Sequence, residues 1–183
     1  LEGFLVAMGL GLGVNILSLF VLGLANLLYQ LVILALIGVP LLLYVGHIKK
    51  LLGKKPWDQV FVSPKLSGLE CIAAISLFSA GGLILLSVFQ PEVFYDALYY
   101  HDALPMLYLI RHRMEIYPHA VHSAMPANID LLYTMPLAFA GTGSVRLLHF
   151  LFYVGTCLWV YSLGKRFFGK DAGLVGAVLW ATI

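Results

Sequence analysis

The chain has 183 residues, a formal net charge of +2, 61% hydrophobic residues and only 11% charged ones, with a mean hydropathy of +0.94. Soluble domains carry about 25% charged residues, so this composition excludes an ordinary water-soluble domain, and so small a net charge gives no basis for nucleic-acid binding. Apolar runs of about 20 residues instead predict helices that cross a membrane.

Residues 3–25 are long enough to span, and Asn26 marks a turn into a second candidate at 27–45. Pro40 in that second run predicts a kink, which membrane helices tolerate. The stretch "GHIKKLLGKKPWDQVFVSPK" then gathers Lys49, Lys50, Lys54, Lys55 and Lys65. The positive-inside rule assigns such a loop to the cytoplasm. Residues 69–89 form a third span running outward, which puts 90–128 on the far face. There, Leu104, Leu107, Ile110, Met114 and Tyr117 recur at helical spacing, with Pro105 suited to a first turn. That pattern predicts an amphipathic helix lying in the interface plane. The run 126–140 is apolar, short and contains Pro136; started at Pro126, it is just long enough to cross. Residues 145–163 form a clear span and another begins at 172. Cys71 and Cys157 both lie inside apolar runs and read as packing residues, not as a disulfide framework. The chain starts at Leu1 and stops within an apolar run, and it reads as a fragment of a longer protein.

The expected fold class is therefore all-α: a polytopic transmembrane helix bundle with membrane-parallel helices in its first long outer loop. The expected organisation is an N-terminal set of helices with a basic cytoplasmic loop over 1–89. Residues 90–183 form a second unit, made of the outer loop 90–128 and the helices that follow.

The string "FYDALYYHDALP", residues 94–105, carries two carboxylates, a histidine and three tyrosines at the mouth of a span. On a regular helix, positions 96, 99, 100 and 103 share a face. Asp96 would then sit beside Tyr99 and Tyr100, with Asp102 pointing elsewhere. His101, Arg111, His112, Arg113, Glu115, His119, His122 and Asp130 follow in the same stretch. Carboxylates and cations gathered at one interface suit a substrate with a lipid tail and a phosphate head. Arginine or lysine pairs with the phosphate, and a carboxylate nearby acts as a general base. Plainer readings stand beside this one. Interfacial loops are polar because water is there, tyrosines at helix ends form an aromatic belt, and Arg146 and His149 at a span's start snorkel. The histidine spacing matches no strong zinc signature, and no metal ligands are assigned.

Three segments in order, "YDALYYHDALPMLYLIRHRMEIYP", "HSAMPANIDLLYTMPLAFAG" and "RLLHFLFYVGTCLWVYSLGKRFFGKDAGLVGAVL", resemble the GT-C superfamily of membrane glycosyltransferases. The nearest likeness is to the protein-mannosyltransferase and aminoarabinose-transferase-like branch, glycosyltransferase family 39 and its bacterial relatives. It covers residues 90–183; the first 89 look like extra helices that some bacterial members carry. The resemblance implies a sugar donor carried on a polyprenyl phosphate or diphosphate. It also implies inversion at the anomeric carbon, and an aspartate base on the acceptor.

By that resemblance Asp96 takes the essential acidic position, with Asp102 and Asp130 as candidates for a second acid. Many members have adjacent acids where this chain has Asp96-Ala97, which weakens any carry-over of metal binding. No cofactor is firmly implied, though a divalent metal is compatible. Tyr99, Tyr100, His101 and Pro126 are expected in the substrate pocket. The "GKRFFG" turn resembles a glycine-arginine-arginine turn that lies on the family's active-site side. Lys165 and Arg166 thereby join Arg111 and Arg113 as expected contacts of the donor phosphate. This has 126–140 cross inward and the basic turn 164–170 lie outside, against the positive-inside rule; the alternative is a re-entrant 126–140, and the resemblance favours the crossing. The implied partners are the lipid-linked donor, the bilayer and an acceptor that is a glycan, a lipid or a protein. The implied location is a bacterial inner membrane, with the site on the periplasmic face. Two other readings compete. A transporter or flippase would put ionisable residues near the midplane, where the first three spans have none except Glu70 at an edge. A non-enzymatic membrane assembly protein would tolerate loss of Asp96 and Asp102.

Overall fold

The computed structural model describes residues 1–52, 66–125 and 127–183, with side chains up to residue 46 in the first stretch. The described residues are helical, with no strand among them. Helix α1 covers Glu2–Leu24, α2 Gln30–Leu52 and α3 Gly68–Val88. After a long loop come α4 (Ala103–Arg111), α5 (Asn128–Ala140), α6 (Thr142–Phe168) and α7 (Lys170–Thr182). The loop also holds a π-turn at Ala97–His101 and a 3-10 turn at Val121–Ala124.

Helices α1, α3 and α6 are long and apolar enough to cross a membrane. At 1.5 Å per residue they reach about 31–40 Å, against about 30 Å for a hydrocarbon core. Only 11% of the most apolar stretch of each is buried within the protein. Many of their leucines and phenylalanines, such as Phe78 at 82% exposure, thus face outward, while Leu5 and Leu19 are buried. Helix α3 begins where the sequence changes from polar to apolar, at a capping box. Glu70 N–H donates to Ser67 Oγ (3.3 Å) and Ser67 N–H to the Glu70 carboxylate (2.7 Å).

The bundle has two distinct ends. At one, Arg166 pairs with Glu2 (3.1 Å) and Lys170 with Glu70. Helices α1 and α3 therefore start where α6 finishes and α7 begins. At the other end the long loop is tied to the α1–α2 turn. Met114 N–H donates to Gly23 C=O and Leu28 N–H to His112 C=O, each at 3.0 Å. A Cβ on Gly23 would come within 2.9 Å of Met114 Cβ, so this approach needs glycine.

Helix α5 does not follow the expected path. Near its start Asp130 meets His101 of the loop (2.7 Å), and near its finish Ala138 C=O accepts from Gln30 at the start of α2 (2.7 Å). Both ends of α5 lie at the loop end, and 13 residues reach only about 20 Å. The expected inward crossing of 126–140 is thus replaced by a helix that turns back. The basic turn 164–170 consequently lies at the end opposite the loop, not beside it. The basic turn thus sits at the end where α1 and α3 begin, which the positive-inside rule prefers to a place beside the loop. Beyond that turn, α6 and α7 pack backbone to backbone. A Cβ on Gly164 would sit 2.7 Å from Gly173 Cα, and one on Gly173 2.6 Å from Tyr161 C=O.

The loop departs from expectation twice. Helix α4 stops at Arg111, because His112 adopts a left-handed conformation (φ 57°) and stacks on Tyr29 at 3.9 Å. Its buried face is Leu104, Pro105 and Tyr108, while Ile110 is exposed and Met114 and Tyr117 lie beyond the helix. Docking on the α1–α2 turn overrides the helical periodicity. Upstream, Asp102 N–H donates to Ala97 C=O (2.8 Å), an i→i−5 bond. The extra residue in that turn shifts the side chains after it by about 100°. Asp102 is therefore turned inward and buried, whereas Asp96 stays exposed.

Candidate functional site

A cavity of about 550 Å³ opens at the loop end between α3, α5 and α6. Ile84 and Val88 of α3 and Val145 and Phe150 of α6 contribute apolar wall. The ionisable lining is Glu92, His101, Asp102, Tyr133, Arg146 and His149, beside the neutral Ser87 and Gln90. An apolar wall with a few convergent polar groups is the usual form of a small-molecule site.

The electrostatics follow from burial. Burial is the main cause that raises the Asp102 carboxyl above its ordinary value, and the charge of Glu92 adds to it; Arg146 and His101 pull the other way. Asp130 is 8% exposed and bonds His101 Nδ1 through Oδ1 at 2.7 Å. The His101 ring is also held against Tyr100, centroid to centroid 4.1 Å. Tyr133 Oη is hydrogen-bonded to His149 Nδ1 at 2.8 Å. Burial, then the charges of Asp130 and Asp102, push the Tyr133 hydroxyl up to about 12. It therefore stays protonated at neutral pH. Arg146 differs from the rest: its Nε is buried and has no hydrogen-bond partner. A guanidinium cannot shed its charge, so a buried N–H on it is a standing demand for an acceptor.

The structure gathers some of the expected residues and disperses others. His101, Asp102 and Asp130 come together around the cavity. Asp96 is exposed on the loop, outside the lining, although its charge reaches Tyr100: burial first, then Asp96 and Asp130, raise that phenol. Tyr100 stacks on His122 (4.1 Å), and the Tyr99 hydroxyl turns to His119 C=O (3.4 Å). Arg113 pairs with Glu115 at 2.5 Å, and Arg111 is exposed at the end of α4. Pro126 lies outside the described residues.

Lys165 and Arg166 are at the far end of α6, with Lys165 Nζ 5.9 Å from the Tyr161 ring and Arg166 on Glu2. Nineteen residues of α6 separate Lys165 from Arg146, about 28 Å. They do not share a site with Asp96 or Asp102, because α5 turns back and α6 carries them away. Sequence reasoning passed over Arg146, His149, Glu92 and Tyr133 as site residues. The available signal was Arg146 and His149 three apart on one helix face, at the loop end of a span. Among the described residues no group of three or more His, Cys, Asp or Glu is arranged to hold a metal ion. No protein-family model matches the chain, and neither a curated protein nor a solved structure matches it.

Proposed function

We propose that this chain acts as a membrane glycosyltransferase that takes a sugar from a polyprenyl-phosphate carrier. The observation that carries this reading is the buried, unpartnered Arg146 Nε in a cavity that is apolar on one side and acidic on the other. An amphiphile with an anionic head fits such a site: its chain lies along α3 and α6, and its phosphate supplies the acceptor that Arg146 lacks.

The reaction forms a bond from the acceptor oxygen to the anomeric carbon and breaks the bond from that carbon to the phosphate oxygen. Positive charge develops on the sugar and negative charge on the leaving phosphate. Asp102, buried in the cavity, faces the first, and Arg146 the second. Helix ends give the orientation. The turn with Lys165, Arg166 and Lys170 sits at the end where α1 and α3 begin; the lysine-rich segment before α3 lies outside the described residues. The positive-inside rule makes the end with that turn cytoplasmic and the loop end periplasmic in a bacterial inner membrane. The resemblance puts the acceptor's base on Asp96, which is exposed outside the cavity lining.

The test is sugar transfer from a polyprenyl-phosphate-linked sugar by the full-length protein in proteoliposomes, wild type beside Asp102→Asn and Asp96→Asn. Transfer that Asp102→Asn abolishes supports the reading and the cavity as its site. Loss in Asp96→Asn alone would move the chemistry to the exposed loop. Absence of transfer by the wild type with any lipid-linked sugar would sink the reading.

A further inference from the structure

We infer that His101, oriented by Asp130, is the group that takes the acceptor's proton in the loop-end cavity; this deepens, and rests on, the transferase reading above. Three observations carry it.

The first is the bond from His101 Nδ1 to Asp130 Oδ1, at 2.7 Å. An ionised carboxylate only accepts, so Nδ1 carries the hydrogen and Nε2 is left with a free lone pair. Asp130 is 8% exposed, so little water competes for that bond. Tyr100 packs against the ring at 4.1 Å and limits its rotation. A base oriented by a buried third group is the arrangement that activates a hydroxyl on unrelated folds.

The second is how the chain builds the pair. His101 and Asp130 are 29 residues apart, and they meet because the π-turn that ends at His101 and the first turn of α5, which holds Asp130, both lie at the loop end.

The third is the cavity that His101 lines. Asp102 and Glu92 line it from the loop, Arg146 and His149 from α6 and Tyr133 from α5, while Asp130 holds the ring from α5. Imidazole is also the side chain whose charge changes nearest neutral pH, which suits proton transfer there better than an ordinary carboxylate. Asp102 is then free to face the anomeric carbon as a charge.

The proton balance is simple. The acceptor O–H proton moves to His101 Nε2 as the oxygen bonds to the anomeric carbon. The pair of electrons from the broken bond leaves on the phosphate, and the imidazolium later returns its proton to water. Asp130 touches no reacting atom and is a positioning residue.

The experiment uses the full-length protein, in two readouts. In proteoliposomes, transfer from a polyprenyl-phosphate-linked sugar is measured against pH. His101→Gln is expected to lose about 10²–10⁴-fold. Asp130→Asn, which removes the carboxylate that orients the ring, is expected to lose transfer in the same direction and by less. In the second readout, ¹⁵N-histidine NMR of the wild type, with His101 assigned by its absence in His101→Gln, is expected to show the Nδ1–H tautomer at high pH. This needs no folded Asp130 variant. An Nε2–H tautomer in the wild type, or near-wild-type transfer by His101→Gln, overturns the inference while leaving the transferase in place. A wild type that transfers nothing overturns the transferase, and the role of His101 with it.

Discussion

The two ends of the bundle carry similar side chains and treat them in opposite ways. At the basic end, Arg166 with Glu2 and Lys170 with Glu70 pair off near the surface, each cation more than half exposed. At the loop end, Asp102 and Asp130 are buried and the Arg146 Nε is buried with no partner. Exposed pairs contribute about 0–1 kcal/mol and satisfy themselves. A buried polar atom without a partner, as Arg146 Nε is, is expensive to keep, and such expense marks the place where a ligand is met. The difference teaches that where a charge sits relative to water says more about function than how many charges there are.

Four changes break or sharpen this contrast. The largest effect is expected from Arg146→Gln, which removes the unpartnered cation. Transfer in proteoliposomes should fall by about 10²–10³-fold, and a loss below tenfold would leave Arg146 as a snorkelling residue. Next comes Gly173→Leu, outside either charged site, where a side chain meets the backbone of Tyr161 and Lys165. Prying α6 from α7 should cost about 1–3 kcal/mol, seen as a lower midpoint in thermal unfolding.

A gain is expected from Asp102→Asn. Burial raises the Asp102 pKa above its unfolded value, so the folded chain holds the proton more tightly. Its stability contribution is then greatest where the carboxyl is protonated and is lost as pH rises through the folded-state value. The amide escapes that loss, so the variant should be about 0.5–2 kcal/mol more stable at neutral pH. The advantage should vanish below about pH 4. A variant more stable yet inactive is what the loop end predicts; one less stable would show that the carboxylate holds the fold together. The smallest effect is expected at the basic end, where Glu2→Gln should change stability by about 0–1 kcal/mol. A larger loss would make that end more than a surface.

Much of the fold was legible. The spans at 3–25, 69–89 and 145–163 differ from α1, α3 and α6 by a few residues at each boundary, because bilayer length and apolar composition fix them locally. Asn26 and Pro105 sit where turn and first-turn chemistry put them. What escaped was long-range. Shortness and Pro136 left 126–140 open between a crossing and a re-entrant path, and the contacts that place both its ends on one side, Gln30 on Ala138 C=O and His101 on Asp130, are long-range. The site was half legible. His101, Asp102 and Asp130 stood out as polar residues in an apolar chain. The π-turn that swaps the inward roles of Asp96 and Asp102 has no composition signature, since it rests on one backbone bond.

The joint between the loop and the α1–α2 turn is made by main-chain atoms at both of its closest points, Met114 to Gly23 and Leu28 to His112. Such bonds do not depend on side-chain identity. Inserting or deleting one residue between 23 and 28 or between 112 and 114 would therefore slip the register of both bonds at once. The same joint bridges the boundary drawn at residue 89, so the first two helices are ill-suited to exchange as a cassette: a recombined neighbour would have to arrive with its spacing already matched.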